Sequence, residues 1–332
     1  MKRTKVICVG EALIDRIKNK FDSEFTDFLG GAPANVACAL KKLKVDSVFI
    51  GCLGNDKLGK KFIEKFNELE VNTDFVQVVK KYPTRIVKVN RDNLGDRYFS
   101  GFDANPFTVF ADEVLNSNLF EKDIKRLEKI FLETKYIITG TNILTSSISA
   151  ESIHYLLRKA NKFDTKVVID LNWREVFWDS STNSSKSSRK ERISIIKSFL
   201  NYCDVLKMAK EEAILFFEND NPSEISRKIL NQPDVIITDG GNQISWFVDG
   251  FNGTTEVNNF SKIVDTTGAG DAFLAGLISK LISCDFQLNE FEINKFISYA
   301  SVCGYLTCLG EGAIDQQPDY QKVHQYFGSE IS

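Results

Sequence analysis

Short apolar runs rich in β-branched residues alternate with amphipathic helical patterns along most of the chain. This alternation predicts βαβ units, whose parallel strands form one sheet with helices packed on both faces. The predicted strands are Val6 to Val9, Ser47 to Ile50, Tyr136 to Thr139, Lys166 to Asp170, Asp204 to Met208 and Val235 to Thr238. The predicted helices are Ala34 to Leu43, Gly59 to Leu69, Ala150 to Ala160 and Arg189 to Tyr202. We therefore expect an α/β fold with a mostly parallel central sheet.

Two segments interrupt this alternation. Around Phe75 to Val79, Arg85 to Asn90 and Arg97 to Phe99, strand patterns follow one another with no long helix between them. We interpret this region as a small antiparallel sheet, inserted into the α/β body as a lid. The second segment, Ser180 to Ser188, has six serines in nine residues and predicts a flexible surface loop.

Charge and hydropathy exclude several classes of protein. The 332 residues include 42 Lys and Arg against 45 Asp and Glu, a formal net charge of −3. No window approaches the ~18 uninterrupted apolar residues of a membrane helix. A dedicated binder of nucleic acid or anionic membranes would usually carry a basic excess. We therefore expect a cytoplasmic enzyme or small-molecule binder with neither kind of partner.

Cysteine and histidine give little support for a metal centre. The seven cysteines are scattered without a CxxC pair, which favours reduced, buried thiols over disulfides or zinc. The two histidines are His154, within a helical pattern, and His324, near the C-terminus. Structural or surface roles are expected for both, so a histidine metal site or a Ser-His-Asp triad is not predicted.

The segment Asp265-Thr266-Thr267-Gly268-Ala269-Gly270-Asp271 carries the most chemical information. It precedes an apolar helical pattern, Ala272 to Ile282, and its small residues let backbone N–H groups approach a ligand. A helix N-terminus behind such a turn favours an anion, above all phosphate. From the residues alone, Asp271 fits two roles equally: a base that accepts a hydroxyl proton, or a helix N-cap. Phe273 occupies the third glycine position of the dinucleotide fingerprint, which disfavours a dehydrogenase.

Two more glycine-containing segments could contact a ligand. Gly30-Gly31 precedes a helix containing Asn35, so Asn35 and the nearby Asp15 could bind hydroxyl groups of a polar ligand. A plain turn followed by a helical Asn explains the same residues. Gly54 to Lys61 nearly matches a Walker A loop, but Lys61 stands where the magnesium-binding hydroxyl belongs. We interpret that segment as a strand-to-helix loop.

Taken together, GGAPAN at 30–35 and DTTGAGD at 265–271 resemble the GGxxxN and DTxGAGD elements of the ribokinase-like (phosphofructokinase-B) family of ATP-dependent sugar kinases. The resemblance extends from Val6 to about Pro318 and is greatest to the fructokinases. The fructokinase-like features are GEALID at 10–15, GGAPANVA at 30–37, GxxGxDxxG at 51–59, DLNWR at 170–174 followed by Phe177-Trp178, and Leu306-Thr307 with Gly312-Ala313-Ile314.

This resemblance implies the three-layer ribokinase-like fold, as one α/β domain over 1–332 with a β lid from roughly 11–29 and 72–104. It also implies ATP-dependent phosphorylation of a sugar, most similar to that of D-fructose to D-fructose 6-phosphate. Asp271 would be the general base, and the Gly268, Ala269 and Gly270 amides would form the anion hole. Sugar binding is implied for Asp15, Gly30, Gly31, Asn35 and Arg174, and nucleotide binding for Asn172, Thr238, Gly240, Gly268 and Gly270.

The implied ions are Mg²⁺, which accompanies ATP, and K⁺. Glu212 matches the acidic residue of the family's NxxE motif, which organises magnesium through water, whereas Ala209 replaces its Asn. Asp265 and Thr267, with backbone near Gly312, match the potassium region of relatives. Pairing of the lid with a second copy would give a homodimer.

The sequence is also compatible with alternative functions. One is a kinase for another acceptor, such as ribose, 2-keto-3-deoxygluconate or a nucleoside such as adenosine. Another is a catalytically silent binding protein on the same fold. The retained Asp271 argues against silence, because its loss would be the expected mark of an inactive relative.

Overall fold

The computed structural model describes residues 3–18, 24–91, 97–105, 107–180, 187–257, 263–284 and 287–331. Its strands are β1 Lys5–Val9, β2 Leu13–Lys18, β3 Phe25–Gly30, β4 Asp46–Ile50, β5 Cys52–Gly54, β6 Gln77–Val79, β7 Ile86–Arg91, β8 Arg97–Phe102, β9 Thr134–Gly140, β10 Lys166–Asp170, β11 Val205–Ala209, β12 Asp234–Thr238, β13 Ile244–Val248 and β14 Phe251–Thr255. Its α-helices are α1 Ala32–Lys42, α2 Lys57–Glu68, α3 Asn118–Glu121, α4 Ile124–Glu133, α5 Ser147–Lys162, α6 Glu175–Ser180, α7 Arg189–Phe199, α8 Lys210–Phe217, α9 Pro222–Lys228, α10 Ala269–Ser283, α11 Glu290–Thr307 and α12 Tyr320–Ile331. Short 3₁₀ turns lie at Ala111–Val114, Asn142–Thr145 and Leu200–Tyr202.

The central sheet has eight strands in the order β14-β13-β12-β11-β10-β9-β1-β4. Pairing is parallel from β12 to β4, and only β13 and β14 are antiparallel. All six strands predicted from the sequence lie in its parallel part, and the four predicted helices between them are present. The expected three-layer α/β class is confirmed.

Side chains of the central sheet alternate between two apolar cores. In β1, Val6 and Cys8 belong to a core that includes α1, α10 and α11, while Ile7 and Val9 belong to a second core with α4, α5 and α7. Strands buried on both faces read as continuous apolar runs, which is why they stood out in the sequence. Six cysteines are buried thiols, as predicted: Cys8, Cys38, Cys52, Cys203, Cys303 and Cys308. No helix in the described part of the chain could span a membrane.

A second sheet, ordered β3-β2-β7-β8, forms the lid. It differs from the predicted lid in two respects. Strands β2 and β7 pair in parallel, so the sheet is mixed rather than antiparallel. The predicted strand Phe75 to Val79 is shortened to β6, which pairs with β5 in a separate two-stranded sheet. Local patterns indicate strands but carry no information on their partners, and β2 reaches the lid from the N-terminus.

The remaining local predictions have mixed outcomes. Asp56 caps α2 by accepting hydrogen bonds from the N–H groups of Leu58 and Gly59, so the segment resembling a Walker A loop is a strand-to-helix loop. The serine-rich segment contains regular structure at both ends, since Ser180 ends α6 and Ser188 caps α7. Its central part, 181–186, lies outside the described residues. His154 packs edge-on against Phe199 and Tyr202, a structural role.

Candidate active site

A cavity of about 260 Å³ separates the lid from the carboxyl ends of the central strands, where α/β proteins usually bind ligands. The lid contributes Leu13, Asp15 and Val89. The body contributes the residues Glu11, Gly31, Ala32, Asn35, Asn142, Asp170, Asn172, Arg174, Phe177, Lys207, Thr266, Thr267, Gly268, Gly270 and Asp271. Most of the site residues predicted from sequence therefore meet here, and we call this space the acceptor cavity.

The turn at Thr266 to Gly270 leads directly into α10. Gly268 has φ +77°, and a Cβ atom there would lie 2.6 Å from Cβ of Ala313, so both conformation and packing require glycine. The Ala269 N–H donates to the Thr266 carbonyl at 3.2 Å. Gly270 and Asp271 lie in the first helical turn, where N–H groups have no intrahelical acceptor. The N–H groups of Gly270 and Asp271 are therefore available to a ligand, whereas that of Ala269, one of the predicted anion-hole amides, is already used within the turn. Anion binding by Gly268, Ala269 and Gly270 stays a prediction.

Asp271 does not cap α10, because Gly268 holds the N-cap position. Its Oδ2 atom instead accepts a 2.7 Å hydrogen bond from Nδ2 of Asn35. The pKa of Asp271 is raised to about 6, mainly by burial and secondly by the charge of Asp170. Asn35, Lys207 and Arg174 act in the opposite direction. A carboxylate with a pKa near neutrality can both accept and release a proton, which favours the base over the cap.

Lys207 and Asp170 form a buried ion pair that sequence analysis did not single out. Lys207 Nζ lies 2.9 Å from Oδ2 of Asp170, and the two residues are register partners on β11 and β10. A Cβ atom at Gly270 would lie 2.8 Å from Lys207 Nζ, so the ammonium stands beside the turn. Burial lowers the pKa of Lys207, but nearby carboxylates outweigh it and keep the side chain cationic. A Lys inside an apolar strand, next to a strand that ends in Asp, was the available sequence signal.

Two carboxylates, those of Glu11 and Asp15, also line the cavity, next to the glycine pair. Asp15 is 6% exposed, and a Cβ atom on Gly30 would lie 2.2 Å from its Oδ2 atom. Gly31 has φ +96°, and a Cβ atom there would meet the Glu11 carbonyl oxygen at 2.6 Å. The glycine pair thus lets backbone and carboxylate pack closely. Glu11, missed by the sequence analysis, accepts a 3.1 Å hydrogen bond from Nδ2 of Asn142.

Asn172 and Arg174 follow β10 and line the same cavity. Asn172 has φ +41°, a left-handed conformation that non-glycine residues adopt at a cost, often at functional sites. Arg174 acts electrostatically on both Asp271 and Glu212. Among the described residues that line the cavity, the cations Arg174 and Lys207 therefore both act electrostatically on Asp271.

A second cavity of about 190 Å³ lies on the other side of the turn and shares Thr266 and Gly270 with the first. Its walls are mostly apolar: Ile244, Val257, Ile263, Phe273, Tyr305 and Cys308. Thr238 and Gly240, predicted to bind nucleotide, line it as well. A flat ring with a polar edge suits such a cavity. The turn thus joins an apolar cavity to a polar one.

The residues predicted to hold ions have other contacts. Glu212 Oε1 accepts a hydrogen bond from the Trp173 N–H and Oε2 accepts one from the Ala209 N–H, so both carboxylate oxygens are hydrogen-bonded to the backbone. Among the described residues, no group of three His, Cys, Asp or Glu side chains could hold a metal. A role of Glu212 in organising Mg²⁺ through water stays a prediction.

Asp265 ties the phosphate turn to the C-terminal segment. Its Oδ1 atom accepts from Thr267 N–H and Oγ1, and its Oδ2 atom accepts from the Gly312 N–H. The structure therefore places Asp265, Thr267 and the backbone near Gly312 together, as the potassium prediction requires. Whether they bind K⁺ stays a prediction.

Comparison with known proteins adds independent evidence. The sequence pattern described as "pfkB family carbohydrate kinase" matches residues 3–319, nearly the whole chain. Probable fructokinase-6, chloroplastic, of Arabidopsis thaliana is 30% identical, covering 96% of this chain and 81% of the relative. An ATP-dependent 6-phosphofructokinase of Thermoanaerobacterium thermosaccharolyticum is 27% identical, covering 98% and 94% respectively.

Solved structures agree on the fold. Fructokinase from Xylella fastidiosa with bound ATP superimposes with a TM-score of 0.85 at 24% identity, covering 99% of this chain and all of that chain. At this identity, the likeness shows the fold alone. The sequence relatives differ in the acceptor that their names state, fructose in one case and a phosphorylated sugar in the other.

Proposed function

The chain belongs to the pfkB family of carbohydrate kinases, and we propose that within this family it is an ATP-dependent fructokinase. It would transfer the γ-phosphoryl group of MgATP to the 6-hydroxyl of D-fructose, giving ADP and D-fructose 6-phosphate. One observation carries this proposal: Asp271, with its raised pKa, stands at the turn that joins the apolar cavity to the polar one. The nucleotide would lie in the apolar cavity and the sugar in the acceptor cavity.

The reaction follows from that arrangement. The sugar oxygen attacks the γ-phosphorus while its proton passes to the Asp271 carboxylate. The bond from phosphorus to the oxygen that bridges to the β-phosphate breaks, and its electron pair leaves with ADP. Lys207 and the first-turn amides offset the charge on the transferred oxygens. Magnesium would accompany the nucleotide and offset the negative charge of its phosphates, with Glu212 as the residue expected to organise it through water. ATP as donor is supported by the ATP-dependent 6-phosphofructokinase among the sequence relatives.

The charges lining the acceptor cavity support a neutral sugar. Arg174 and Lys207 act on Asp271, close to the transferred phosphoryl group. Glu11 and Asp15 lie toward the lid, beside Gly31 and Gly30. A second phosphate or a carboxylate on the acceptor would meet these carboxylates, and bringing like charges together costs free energy. Fructose fits this distribution better than fructose 6-phosphate or 2-keto-3-deoxygluconate.

Three finer features are part of the same proposal. The lid would close over the sugar and exclude water, which limits hydrolysis of ATP. Pairing of lids would give a homodimer. K⁺ at Asp265 and Thr267 would order the phosphate turn. The single-domain division, with the lid from roughly 11–29 and 72–104, belongs to this proposal too.

ADP release measured against a panel of acceptors tests the function. The panel is fructose, ribose, 2-keto-3-deoxygluconate, adenosine and fructose 6-phosphate, each with and without K⁺. We expect the highest kcat/KM with fructose. Preference for fructose 6-phosphate or the keto acid would contradict the charge argument, and preference for ribose or adenosine would contradict the fructose assignment. No turnover of any acceptor would favour a silent binding protein.

A further inference from the structure

Arg85 lies at the base of the lid strand β7 and is 2% exposed. We propose that Arg85 is a positioning residue for the sugar acceptor, which anchors the lid to the body and holds one wall of the acceptor cavity. The inference rests on the proposed function to the extent that this cavity takes the sugar. It does not depend on which sugar is bound.

The first part of the anchor is the residue before Arg85. The Thr84 N–H donates to Oδ2 of Asp56 at 2.8 Å, and its hydroxyl donates to Oδ1 of Asp56 at 3.0 Å. The Gly54 N–H donates in turn to the Thr84 hydroxyl. Burial would raise the pKa of Asp56, but hydrogen bonds from Gly59, Thr84 and Leu58 lower it overall. The segment Gly54 to Lys61, which resembles a Walker A loop, therefore fixes the position of the start of β7.

The second part is the guanidinium of Arg85 itself. Its Nε atom lies 2.9 Å from Oδ2 of Asp112, and its Nη2 atom lies 3.3 Å from Oε1 of Glu113. Both carboxylates belong to the 3₁₀ turn Ala111–Val114 in the body. This turn is hydrogen-bonded to α5 and to the residue that precedes it. Ser146 donates to the Glu113 carbonyl and Ser149 to the Asp112 carbonyl. A lid residue is thus ion-paired to a fixed part of the body.

Three phenylalanine rings surround the same guanidinium. Its central carbon lies 4.7 Å from the ring centre of Phe102, 4.4 Å from that of Phe110 and 4.8 Å from that of Phe177. Phe102 belongs to lid strand β8, whereas Phe177 belongs to α6 and lines the acceptor cavity. These two rings also meet edge to face at 5.3 Å. The cation therefore joins a lid strand to a cavity wall.

Arg85 is also connected to the cavity carboxylates Glu11 and Asp15. Its carbonyl accepts a 2.9 Å hydrogen bond from the Ile14 N–H, which ties it to β2, the strand that carries Asp15. Burial raises the pKa of Glu11, and the charge of Arg85 opposes that rise. Through these contacts Arg85 influences three parts of the sugar-binding wall: Glu11, Asp15 and Phe177. None of them is expected to hold the nucleotide.

This arrangement predicts a selective kinetic defect. A Lys at position 85 keeps the charge but loses the planar fork and the stacking between rings, and a Met loses both. Displacement of the cavity wall weakens sugar binding, while the apolar nucleotide cavity is unchanged. Loss of folded protein lowers the apparent kcat but leaves KM unaltered, so a KM measured against each substrate separates positioning from stability.

The experiment compares wild type, Arg85→Lys, Arg85→Met, Phe102→Leu and the control Lys159→Met. Lys159 has 19% of its side chain exposed and pairs with Glu128 at 3.0 Å, between α5 and α4 and away from both the lid and α6. Each protein is assayed with the sugar that wild type phosphorylates fastest. We expect Arg85→Met to raise the KM for sugar about tenfold or more, Arg85→Lys and Phe102→Leu to raise it less, and the KM for MgATP to stay within twofold. Lys159→Met should leave both KM values unchanged.

A sugar KM within twofold of wild type in the folded Arg85 variants would overturn the proposal. Equal rises in both KM values would overturn it too. If Arg85→Met does not fold, Arg85→Lys and Phe102→Leu decide by the same criterion. If the wild-type protein prefers a sugar other than fructose, the fructose assignment is wrong but the Arg85 test can still be made with the preferred sugar. If it phosphorylates no sugar, both the proposed function and the Arg85 proposal are wrong.

Discussion

Nδ2 of Asn35 lies 2.7 Å from Oδ2 of Asp271, although the two residues are 236 positions apart in the sequence. The contact joins α1, which begins after the Gly30-Gly31 pair, to α10, which begins after the phosphate turn. The amide donates, so Asp271 must be an acceptor, as a base must be before it takes a proton. One hydrogen bond thus connects the proposed sugar-binding motif to the proposed catalytic motif.

Asp271→Ala should abolish most phosphorylation, because the variant lacks the carboxylate that accepts the proton of the sugar hydroxyl. General-base catalysis contributes about 10²- to 10⁴-fold, so kcat should fall by at least that much. The measurement is ADP release at saturating sugar and MgATP, with circular dichroism to verify the fold. Wild-type turnover in this variant would show that Asp271 is not the base.

The same carboxylate should make the protein less stable at neutral pH. Its pKa is raised from 3.8 to about 6 in the folded state, so the folded protein binds the proton more tightly than the unfolded chain. The resulting stability is complete below the unfolded pKa and is lost as the pH rises through 6. Asp271→Asn removes this loss and should be more stable at pH 7.5, by about 3 kcal/mol, but not at pH 4. Urea unfolding at both pH values tests this, and an equal difference at the two would contradict it.

The sequence was informative at positions where the local backbone conformation allows only one residue type. Gly268 must be glycine because of its positive φ and the contact with Ala313, so the turn was visible as a motif. Asp271 could not be assigned as cap or base from the sequence, because that choice depends on Asn35, a tertiary contact. The parallel strands were visible because both of their faces are buried, whereas β2 and β6 were not correctly paired. Strand partners depend on register across the whole chain.

The Lys207–Asp170 pair was also beyond local analysis. Neither residue belongs to a glycine motif, and their meeting follows from the register of β10 and β11. The hydrogen bond between Glu11 and Asn142 was not predictable either, because the two residues are 131 positions apart in the sequence. Buried polar residues in otherwise apolar strands are the signal that could have found Lys207, because burying a charge is costly without a partner.

Variants of this ion pair should move the acid limb of the pH–rate profile in opposite directions. The charge of Asp170 raises the pKa of Asp271, and that of Lys207 lowers it. In wild type kcat/KM should rise with pH through about 6, since Asp271 must be ionised to act. Asp170→Asn should shift this limb to lower pH and Lys207→Met to higher pH. Profiles from pH 4.5 to 8.5 test the prediction, and shifts in the same direction would contradict it.

Lys207→Met should in addition lower stability. Removing one partner leaves the Asp170 carboxylate buried without its cation, which costs about 3–5 kcal/mol in comparable cases. The double variant with Asp170→Asn should recover part of that loss, since no charge is then left unpaired. Chemical denaturation of the two single variants and the double variant measures the coupling, and additive losses would show that the pair is not coupled.

Gly268→Ala and Gly250→Ala form a matched pair at two positions of positive φ. At Gly268 a Cβ atom meets Ala313 at 2.6 Å, whereas at Gly250 nothing lies within 4 Å. Both substitutions strain the backbone by about 1–2 kcal/mol, but only Gly268→Ala must also displace the phosphate turn. We expect a loss of kcat of about 10²-fold or more in Gly268→Ala and a much smaller change in Gly250→Ala. Similar kcat values in the two variants would argue against the turn as the anion-binding element.

Asp15→Asn should weaken binding of the sugar while leaving the nucleotide unaffected. A carboxylate accepts hydrogen bonds from sugar hydroxyls with the help of its charge, and such bonds contribute about 1.5–3 kcal/mol, so the KM for fructose should rise about 10- to 100-fold. The KM for MgATP should stay within twofold, because Asp15 lines only the acceptor cavity among the two cavities that flank the turn. Asp27→Asn is the control, since Asp27 is on the neighbouring lid strand and pairs with Arg16 on the exposed side. A sugar KM raised equally by both substitutions would mean that lid stability, and not a contact from Asp15 to the sugar, sets the affinity.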